Sequence, residues 1–246
     1  MAGDGNSQIR EIEWLSGIRA FRPMSRAQIR ALAARTSFSE FERRQLICRP
    51  DVNSAEVRVL LSGLAGLVML NSDGKQSLIA LISRGFLFKL PQLRRFVELR
   101  QLRGEFEVRL RWEAISRSRV GVIRLNEFLK VLSSDNPASS HSVLSELFGG
   151  AASLLGRYFG FFGLHLRHRI ALALIELSEE IGTRDARGSL LMMNLPARLI
   201  ADLTGSSRPK VSLVLSEFKR KGMVIHDGSR MIVNARKLHA VLSARA

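Results

Sequence analysis

Residues 199–215 have the sequence LIADLTGSSRPKVSLVL, in which two apolar helical segments flank a short Thr-Gly-Ser turn. Gly205 is able to take the left-handed backbone conformation that ends a helix, and Ser206 or Ser207 can cap the next one. Pro209 falls in the first turn of that second helix, where its missing N–H costs little. This pattern is typical of a helix-turn-helix, whose second helix lies in the major groove of DNA.

The second helix is predicted to have an inward apolar face and an outward face for DNA. At helical spacing, the inward stripe consists of Val211, Val214, Leu215 and Phe218. The candidate DNA contacts share the outward face or the helix start, and they are Ser207, Arg208, Pro209, Lys210, Ser212, Leu213, Ser216 and Lys219. An αα-corner in an ordinary core is the alternative interpretation of the turn alone.

The residues after the turn favour DNA binding over that alternative. Residues 218–222, FKRKG, end the helix with a basic run and a glycine. Residues 223–226 and 231–233 are short strand-like runs around the hairpin signal DGSR. A helix-turn-helix followed by a β-hairpin is a winged helix, so Arg230 joins the candidate DNA contacts as a wing residue.

The charge of the chain points to a polyanionic partner. The net charge is +16 at pH 7, and such an excess attracts nucleic acid. Within 195–246, ten Lys and Arg stand against three Asp and Glu, whereas 138–194 are neutral. The C-terminal excess fits phosphate contact. The excess in 1–137 fits either a solvated basic surface or an anion site.

Length and composition predict a protein with two compact domains. The 246 residues are 46% hydrophobic, which is enough for real cores. No apolar run approaches the roughly 18 residues of a membrane span, and residues 1–10 lack a signal-peptide pattern. We therefore expect a cytoplasmic protein with no membrane partner. The single cysteine, Cys48, excludes a disulfide within the chain, and a buried small residue is favoured there over a redox sensor.

The N-terminal half changes from helical to strand-like texture. Short helices are predicted within 10–35, with Ser25 as a helix cap. Strand-like runs then alternate with turns, including a hairpin signal at Asp73-Gly74. These runs are 60–63, 66–70, 77–82, 106–112 and 119–125. Their spacing predicts an antiparallel β-barrel or jelly roll, followed by a short helix over 126–132.

A long helix with a heptad seam comes next. Apolar residues fall at alternating steps of three and four, and they are Leu144, Leu147, Ala151, Leu154, Tyr158 and Phe161, with His165 at the end. Such a seam is typical of helices that pair with a partner helix. A single helix packed on its own domain is the alternative. Another amphipathic helix, over 167–181, leads into the helix-turn-helix.

The order of β-roll, long helix and winged helix resembles the cyclic-AMP receptor protein and fumarate–nitrate regulator (CRP/FNR) family of bacterial transcription factors. Residues 205–212, GSSRPKVS, are similar to the entry of that family's recognition helix. Residues 169–177, RIALALIEL, resemble the helix that begins its DNA-binding domain. The resemblance implies an α+β fold, with an N-terminal antiparallel β-roll of the cyclic-nucleotide-binding type, a long dimerisation helix and a C-terminal winged helix-turn-helix.

The resemblance also implies roles for single residues. It implies that Arg208 reads guanine with its guanidinium fork and that Ser207 contacts phosphate. Pro209 and Leu213 stand where a Glu and an Arg are frequent, so the usual half-site is not expected. Lys210, Ser212 and Ser216 are candidate supplementary contacts, and Lys219 and Arg230 are candidate phosphate contacts.

The effector site departs from the family pattern. Residues 86–93 align with the phosphate cassette of cyclic-nucleotide binders but lack its Glu, and Arg109 lacks the expected Ser or Thr neighbour. Cyclic AMP in the usual mode is therefore not expected, and neither is an iron–sulfur cluster. The candidates for another anion, or for a solvated basic face, are Lys89, Arg94, Arg95, Arg109 and Arg111. Haem on His165 and His168, both placed on the long helix, is a further alternative.

The sequence thus predicts a homodimeric, sequence-specific transcription regulator with domains at 1–137, 138–165 and 166–246. Two recognition helices roughly 34 Å apart would read an inverted repeat. Double-stranded DNA and a second copy are the expected partners, with RNA polymerase and an anionic small molecule as further candidates. A non-specific architectural nucleic-acid binder is the main alternative, and a scaffold with a silent winged helix is another. No catalytic constellation or metal-ligand spacing is recognisable, so an enzyme is not expected.

Overall fold

The computed structural model describes residues 4–49, 55–70, 76–88, 109–133, 137–191, 195–228 and 230–243, with the backbone alone for 4–8, 109, 151 and 153–162. The chain divides into two units. The first comprises Met1–Gln76 with Ala80–Leu154, and the second comprises Leu155–Ala246 with Ser77–Ile79. The three domain ranges derived from the sequence stay a prediction.

Two short helices open the first unit. Helix α1 is Asp4–Ser16, a 3₁₀ turn follows at Arg19–Phe21, and α2 is Arg26–Ala33. The predicted cap at Ser25 is confirmed as a reciprocal capping box. The backbone N–H of Gln28 donates to Ser25 Oγ at 3.1 Å, and the N–H of Ser25 donates to Gln28 Oε1 at 2.9 Å. Two backbone N–H groups that would otherwise lack an acceptor are thereby satisfied at the helix start.

Loss of this cap has a measurable expected effect. The variant Ser25→Ala is expected to lower the free energy of unfolding by about 1 kcal/mol, because the Gln28 N–H loses its acceptor. Ser25→Gly, which lets water reach the same N–H, is expected to cost only a few tenths of a kcal/mol. Urea unfolding followed by circular dichroism measures both. Equal stability of Ser25→Ala and the wild type would contradict the role of the cap.

In the part of the β-roll that the structure describes, eight strands form two sheets with antiparallel pairing. The strands are β1 Thr36–Phe41, β2 Leu46–Cys48, β3 Glu56–Ser62, β4 Ala65–Leu70, β5 Gln76–Ile82, β6 Leu87–Phe88, β7 Arg109–Ala114 and β8 Ser118–Arg124. One sheet has the order β1-β8-β3-β6 and the other β2-β7-β4-β5. The predicted strands are confirmed, except that 106–108 and the Asp73-Gly74 turn lie outside the described residues.

The core of the roll lies between the sheets and under the N-terminal helices. Trp112 of β7 is 1% exposed, and its ring centroid lies 5.0 Å from that of Phe88 in the other sheet. A second cluster joins the helices to β3 and β8, with Leu15, Phe21 and Ile123 all buried. Burial of these apolar side chains is the main contribution to the stability of the roll.

Two helices follow the roll. Helix α3, Leu125–Ser133, confirms the short helix expected there, and α4, Pro137–Gly163, is the long helix. The prediction that α4 runs on to His165 is wrong. His165 has the extended backbone of an N-cap, with ψ 153°, and starts α5, Leu166–Ile181. His165 and His168 therefore do not share the long helix, because the chain changes direction after Gly163, a residue that disfavours helix.

The second unit is a winged helix with a four-stranded antiparallel sheet. Besides α5, it contains the helices α6 Ala197–Leu203, α7 Arg208–Arg220 and α8 Ala235–Ser243, and its strands are β9 Gly182–Asp185, β10 Gly188–Leu191, β11 Val224–Asp227 and β12 Arg230–Val233. The strand order is β11-β12-β10-β9. The β11–β12 hairpin confirms the predicted wing. The β9–β10 hairpin and α8 were not foreseen from the sequence.

Candidate nucleic-acid interface

The turn between α6 and α7 is fixed by backbone geometry and one buried hydroxyl. Gly205 has φ +58°, the left-handed conformation expected for it. The N–H of Ser206 donates to Ala201 O at 2.9 Å. The Thr204 hydroxyl is buried and donates to Ile200 O at 2.6 Å. The turn therefore holds α7 in one orientation relative to α6.

Helix α7 begins as predicted, with one correction. Ser207 has the extended backbone of an N-cap and Pro209 lies in the first turn. The predicted capping by a serine side chain is wrong, because Ser207 makes no capping hydrogen bond. The cap at Ser207 therefore consists of its extended backbone conformation alone. The exposed Ser207 hydroxyl is left for a contact outside the helix.

One side of α7 forms part of the core of the second unit. Val211 and Phe218 are fully buried and Leu215 is nearly so, whereas Val214 is half-buried. These side chains face α5, α6 and β11, the elements against which α7 packs. The predicted inward stripe is confirmed, and it fixes which side of α7 is free.

The other side of α7 carries the predicted DNA contacts. The exposed members of that set are Ser207, Arg208, Pro209, Lys210, Leu213, Ser216 and Lys219. Ser212 is half-buried, and its carbonyl accepts a hydrogen bond from the Ser216 hydroxyl at 2.9 Å. One side of the helix thus presents basic, hydroxyl and apolar groups, the kinds of side chain that can contact base edges in a major groove.

The C-terminal end of α7 contains an ion-pair network that sequence reasoning missed. Glu217 accepts from Lys221 Nζ at 2.7 Å and lies 3.1 Å from Arg167 Nη2 of α5. The hydrogen bond from Lys221, helped by the nearby Arg167 charge, lowers the pKa of Glu217. Lys221 is therefore partly neutralised within the helix. Because 50 positions separate Arg167 from Glu217, no local sequence pattern predicts their contact.

Arg187 is a second residue that sequence reasoning missed, and it forms ion pairs with both hairpins of the sheet. Its guanidinium Nε lies 3.0 Å from Asp185 Oδ1, and Nη2 lies 2.9 Å from Asp227 Oδ2 in the wing. The side-chain hydrogen bond from Arg187, with a backbone one, lowers the pKa of Asp185 to about 2. Both wing-side carboxylates are thus compensated by Arg187. Arg230, the wing residue predicted to contact phosphate, is exposed.

The candidate effector residues do not come together in the described part of the chain. Lys89, Arg94 and Arg95 lie outside the described residues. Arg109 begins β7, where its backbone pairs with Leu70. Arg111 binds the Glu113 carboxylate at 2.7 Å. For Arg111 the structure therefore favours a structural ion pair over an anion site.

Cys48 and the potential metal ligands among the described residues show no features of a redox or metal site. Burial raises the pKa of the Cys48 thiol to about 11, so it is neutral at physiological pH. This favours the small-residue interpretation over a redox sensor. No group of three or more His, Cys, Asp or Glu suited to a metal occurs among the described residues. None of the described helices combines the length and apolarity needed to cross a membrane.

The N-terminal half of α4 exposes apolar side chains. Leu144 is 53% exposed and Phe148 is 72% exposed, and Leu147 lies beside them. Leu144 and Leu147 also line a groove of about 580 Å³ between α3 and α4, together with Leu129. Large exposed apolar patches mark interaction surfaces. The seam residues Ala151, Leu154, Tyr158 and Phe161 have only their backbone described, within α4.

Comparison with known proteins agrees with this architecture. A family model described as a Crp-like helix-turn-helix domain matches residues 168–241. FixK2 from Bradyrhizobium japonicum matches with a TM-score of 0.66 and 19% identity, over 86% of this chain and 99% of that chain. A double mutant of CooA from Carboxydothermus hydrogenoformans matches with a TM-score of 0.64 and 19% identity, over 85% and 88%. TTHB099, a CRP-family transcriptional regulator from Thermus thermophilus, matches with a TM-score of 0.61 and 22% identity, over 84% and 97%.

The search among curated proteins returned no match. The matched domain model begins within α5 and ends within α8. The α+β architecture predicted from the sequence, with a β-roll, a long helix and a winged helix-turn-helix, is confirmed.

Proposed function

The chain carries a Crp-like helix-turn-helix domain on the fold of the CRP/FNR regulators, and we propose that it is a homodimeric transcription regulator that binds an inverted repeat in DNA. The observation that carries the proposal is the face of α7. Arg208, Leu213 and Lys219 are exposed on a helix whose opposite side is buried. Such a helix is held rigidly while its free face can enter the major groove.

The exposed side chains divide into two kinds of contact. Arg208, at the first residue of α7, has the planar donor fork that matches O6 and N7 of guanine. Lys210, Ser212 and Ser216 are supplementary base contacts. Ser207, Lys219 and the wing residue Arg230 contact phosphates, which set the register of the protein without specifying sequence.

The dimer uses the seam of α4. Leu144 and Leu147 are exposed apolar residues at heptad positions, and their burial against a second copy removes apolar surface from water. Two-fold symmetry then places two α7 helices one DNA turn apart, so that the half-sites form an inverted repeat.

The β-roll is a divergent effector domain in this proposal. The 86–93 segment lacks the Glu of the usual cyclic-nucleotide cassette. Arg111 is already bound to Glu113. An anionic effector other than cyclic AMP, held by Lys89, Arg94, Arg95 and Arg109, is the remaining candidate, and RNA polymerase is the candidate protein partner.

The phosphate contacts predict a change in salt dependence. Lys219→Ala is expected to weaken binding to all duplexes alike and to reduce the slope of log K against log salt by about 1 per half-site. Titration of labelled duplex at several salt concentrations measures the slope. Lys130→Ala removes an equal charge from the first unit, where Lys130 pairs with Glu127, and serves as the control. An unchanged slope for Lys219→Ala would remove Lys219 from the interface.

The proposal is tested by selection from a random duplex library with the purified full chain at physiological salt. Enrichment of an inverted repeat supports a sequence-specific regulator that is competent without an added effector. Equal retention of all sequences, with a steep salt dependence, would instead support the non-specific architectural binder. That alternative rests on the net charge of +16.

A further inference from the structure

Leu213 is the apolar exception on the free face of α7. It is 73% exposed, and no large apolar residue in the described part of the chain is more exposed. At 3.6 residues per turn, Leu213 lies roughly 200° around the helix from the buried Val211. It therefore sits near the middle of the outward face and makes no contribution to the core.

The neighbours of Leu213 leave it accessible to a partner. Pro209 is one turn before it and Ser216 nearly one turn after it, and both are exposed. Ser212 beside it is small, and the Ser216 hydroxyl is turned back to the Ser212 carbonyl at 2.9 Å. The middle of the face thus carries an apolar side chain next to the small residues Ser212 and Ser216, and Arg208 and Lys219 lie toward the two ends of the helix.

We infer that Leu213 is a specificity-determining residue that contacts the C5-methyl group of thymine in the major groove. The inference rests on the proposed function, since it assumes that α7 enters that groove. Thymine is the base that displays an apolar group there, whereas the other bases display donors and acceptors. A leucine pressed against those polar edges leaves them without partners, but against a methyl group it buries apolar surface.

The position of the thymine follows from the helix geometry. Leu213 is five positions after Arg208, which is about 7.5 Å along the helix axis. That distance corresponds to about two base-pair steps of DNA. The thymine read by Leu213 therefore lies within about three base pairs of the guanine read by Arg208, in each half-site.

The test replaces thymine by uracil, which pairs identically but lacks the methyl group. Each thymine of the selected inverted repeat is replaced in turn, in both half-sites, and the affinity is measured for the wild-type chain and for Leu213→Ala. At one position, the wild type is expected to lose about fourfold in affinity per half-site, the loss that corresponds to one buried methyl-sized group. Leu213→Ala is expected to bind the thymine and uracil duplexes equally.

Controls separate folding from recognition. Leu213 is exposed and alanine favours helix, so Leu213→Ala is expected to keep the melting temperature of the wild type. Leu46→Ala removes another exposed leucine, 44% exposed in the first unit. It is expected to keep the full fourfold response to uracil.

Three outcomes would overturn the inference. They are a selected repeat without thymine near the guanine, a wild-type chain indifferent to uracil at every position, and an equal uracil effect in wild type and Leu213→Ala. In each of these the protein still selects a sequence, so the proposed function stands. Failure of the proposed function is different, because no sequence is then enriched.

Discussion

Replacing Arg208 by alanine is expected to weaken binding to the selected sequence by about 1–3 kcal/mol per half-site and to relax specificity at one base pair. Arg208 is exposed at the start of α7. In the part of the chain that the structure describes, its guanidinium has no ion-pair partner. Its donors are therefore free for a bidentate contact to guanine. Loss of that contact reduces the discrimination between bases at one position. Affinities for the selected duplex and for duplexes altered at each position measure the effect.

Arg208→Lys is the matched control for charge. Lysine keeps the positive charge but lacks the planar fork, so it is expected to retain non-specific affinity and still lose the preference at that base pair. If Arg208→Ala weakened binding to all sequences by the same factor, Arg208 would be a phosphate contact. The assignment of direct readout would then be wrong.

The double variant Leu144→Glu with Leu147→Glu is expected to convert the dimer to a monomer. Both leucines are exposed in the single chain, and a dimer seam would bring the four introduced carboxylates together in an apolar contact. Loss of the second half-site contact is expected to weaken DNA binding by about 100-fold or more. Sedimentation velocity gives the mass and DNA titration gives the affinity.

A matched variant carries the same charge off the seam. Ser145 and Ala152 are exposed on α4 outside the heptad positions, so Ser145→Glu with Ala152→Glu is expected to remain a dimer. An unchanged dimer mass for the leucine variant would refute the seam as the interface. It would leave the apolar surface of α4 and the groove beside α3 to another partner.

The elements that the sequence predicts correctly depend on local chemistry. Gly205, Pro209 and the spacing from Val211 to Phe218 specify a turn and an amphipathic helix within twenty residues, and the structure has both. The Ser25 cap is local as well. The pairing of Arg111 with Glu113 was also open to prediction, because residues two apart in a strand share one face.

Some of the features that were missed depend on contacts between distant segments. Arg187 reaches Asp227 across 40 positions, and only the assembled sheet shows that pairing. The β9–β10 hairpin has strands of four residues without a clear apolar alternation, so periodicity gave no signal. Helix α8 did have a local signal in the sequence, which is an asparagine that can cap its start. In the structure, Asn234 Oδ1 accepts a hydrogen bond from the Lys237 N–H at 3.1 Å. Leu238 and Val241, both buried, also have helical spacing.

The end of the long helix shows a limit of heptad reasoning. The apolar pattern continues to His165, but the helix stops at Gly163 and His165 opens the next one. Sequence periodicity reports which residues share a face and does not report where a helix ends when glycines lower its propensity. The alternative of haem bound by His165 and His168 assumed that both histidines lie on the long helix. The two histidines do not have that predicted arrangement.

The most direct test of a homodimeric, sequence-specific regulator varies the spacing of the selected half-sites. The affinity of the purified chain is measured for the selected inverted repeat and for the same repeat with five base pairs inserted at its centre. The insertion turns one half-site to the opposite side of the duplex, where the second α7 of a dimer cannot reach it. A loss of about 100-fold or more is predicted. Equal affinity for both duplexes would contradict recognition by two symmetric helices.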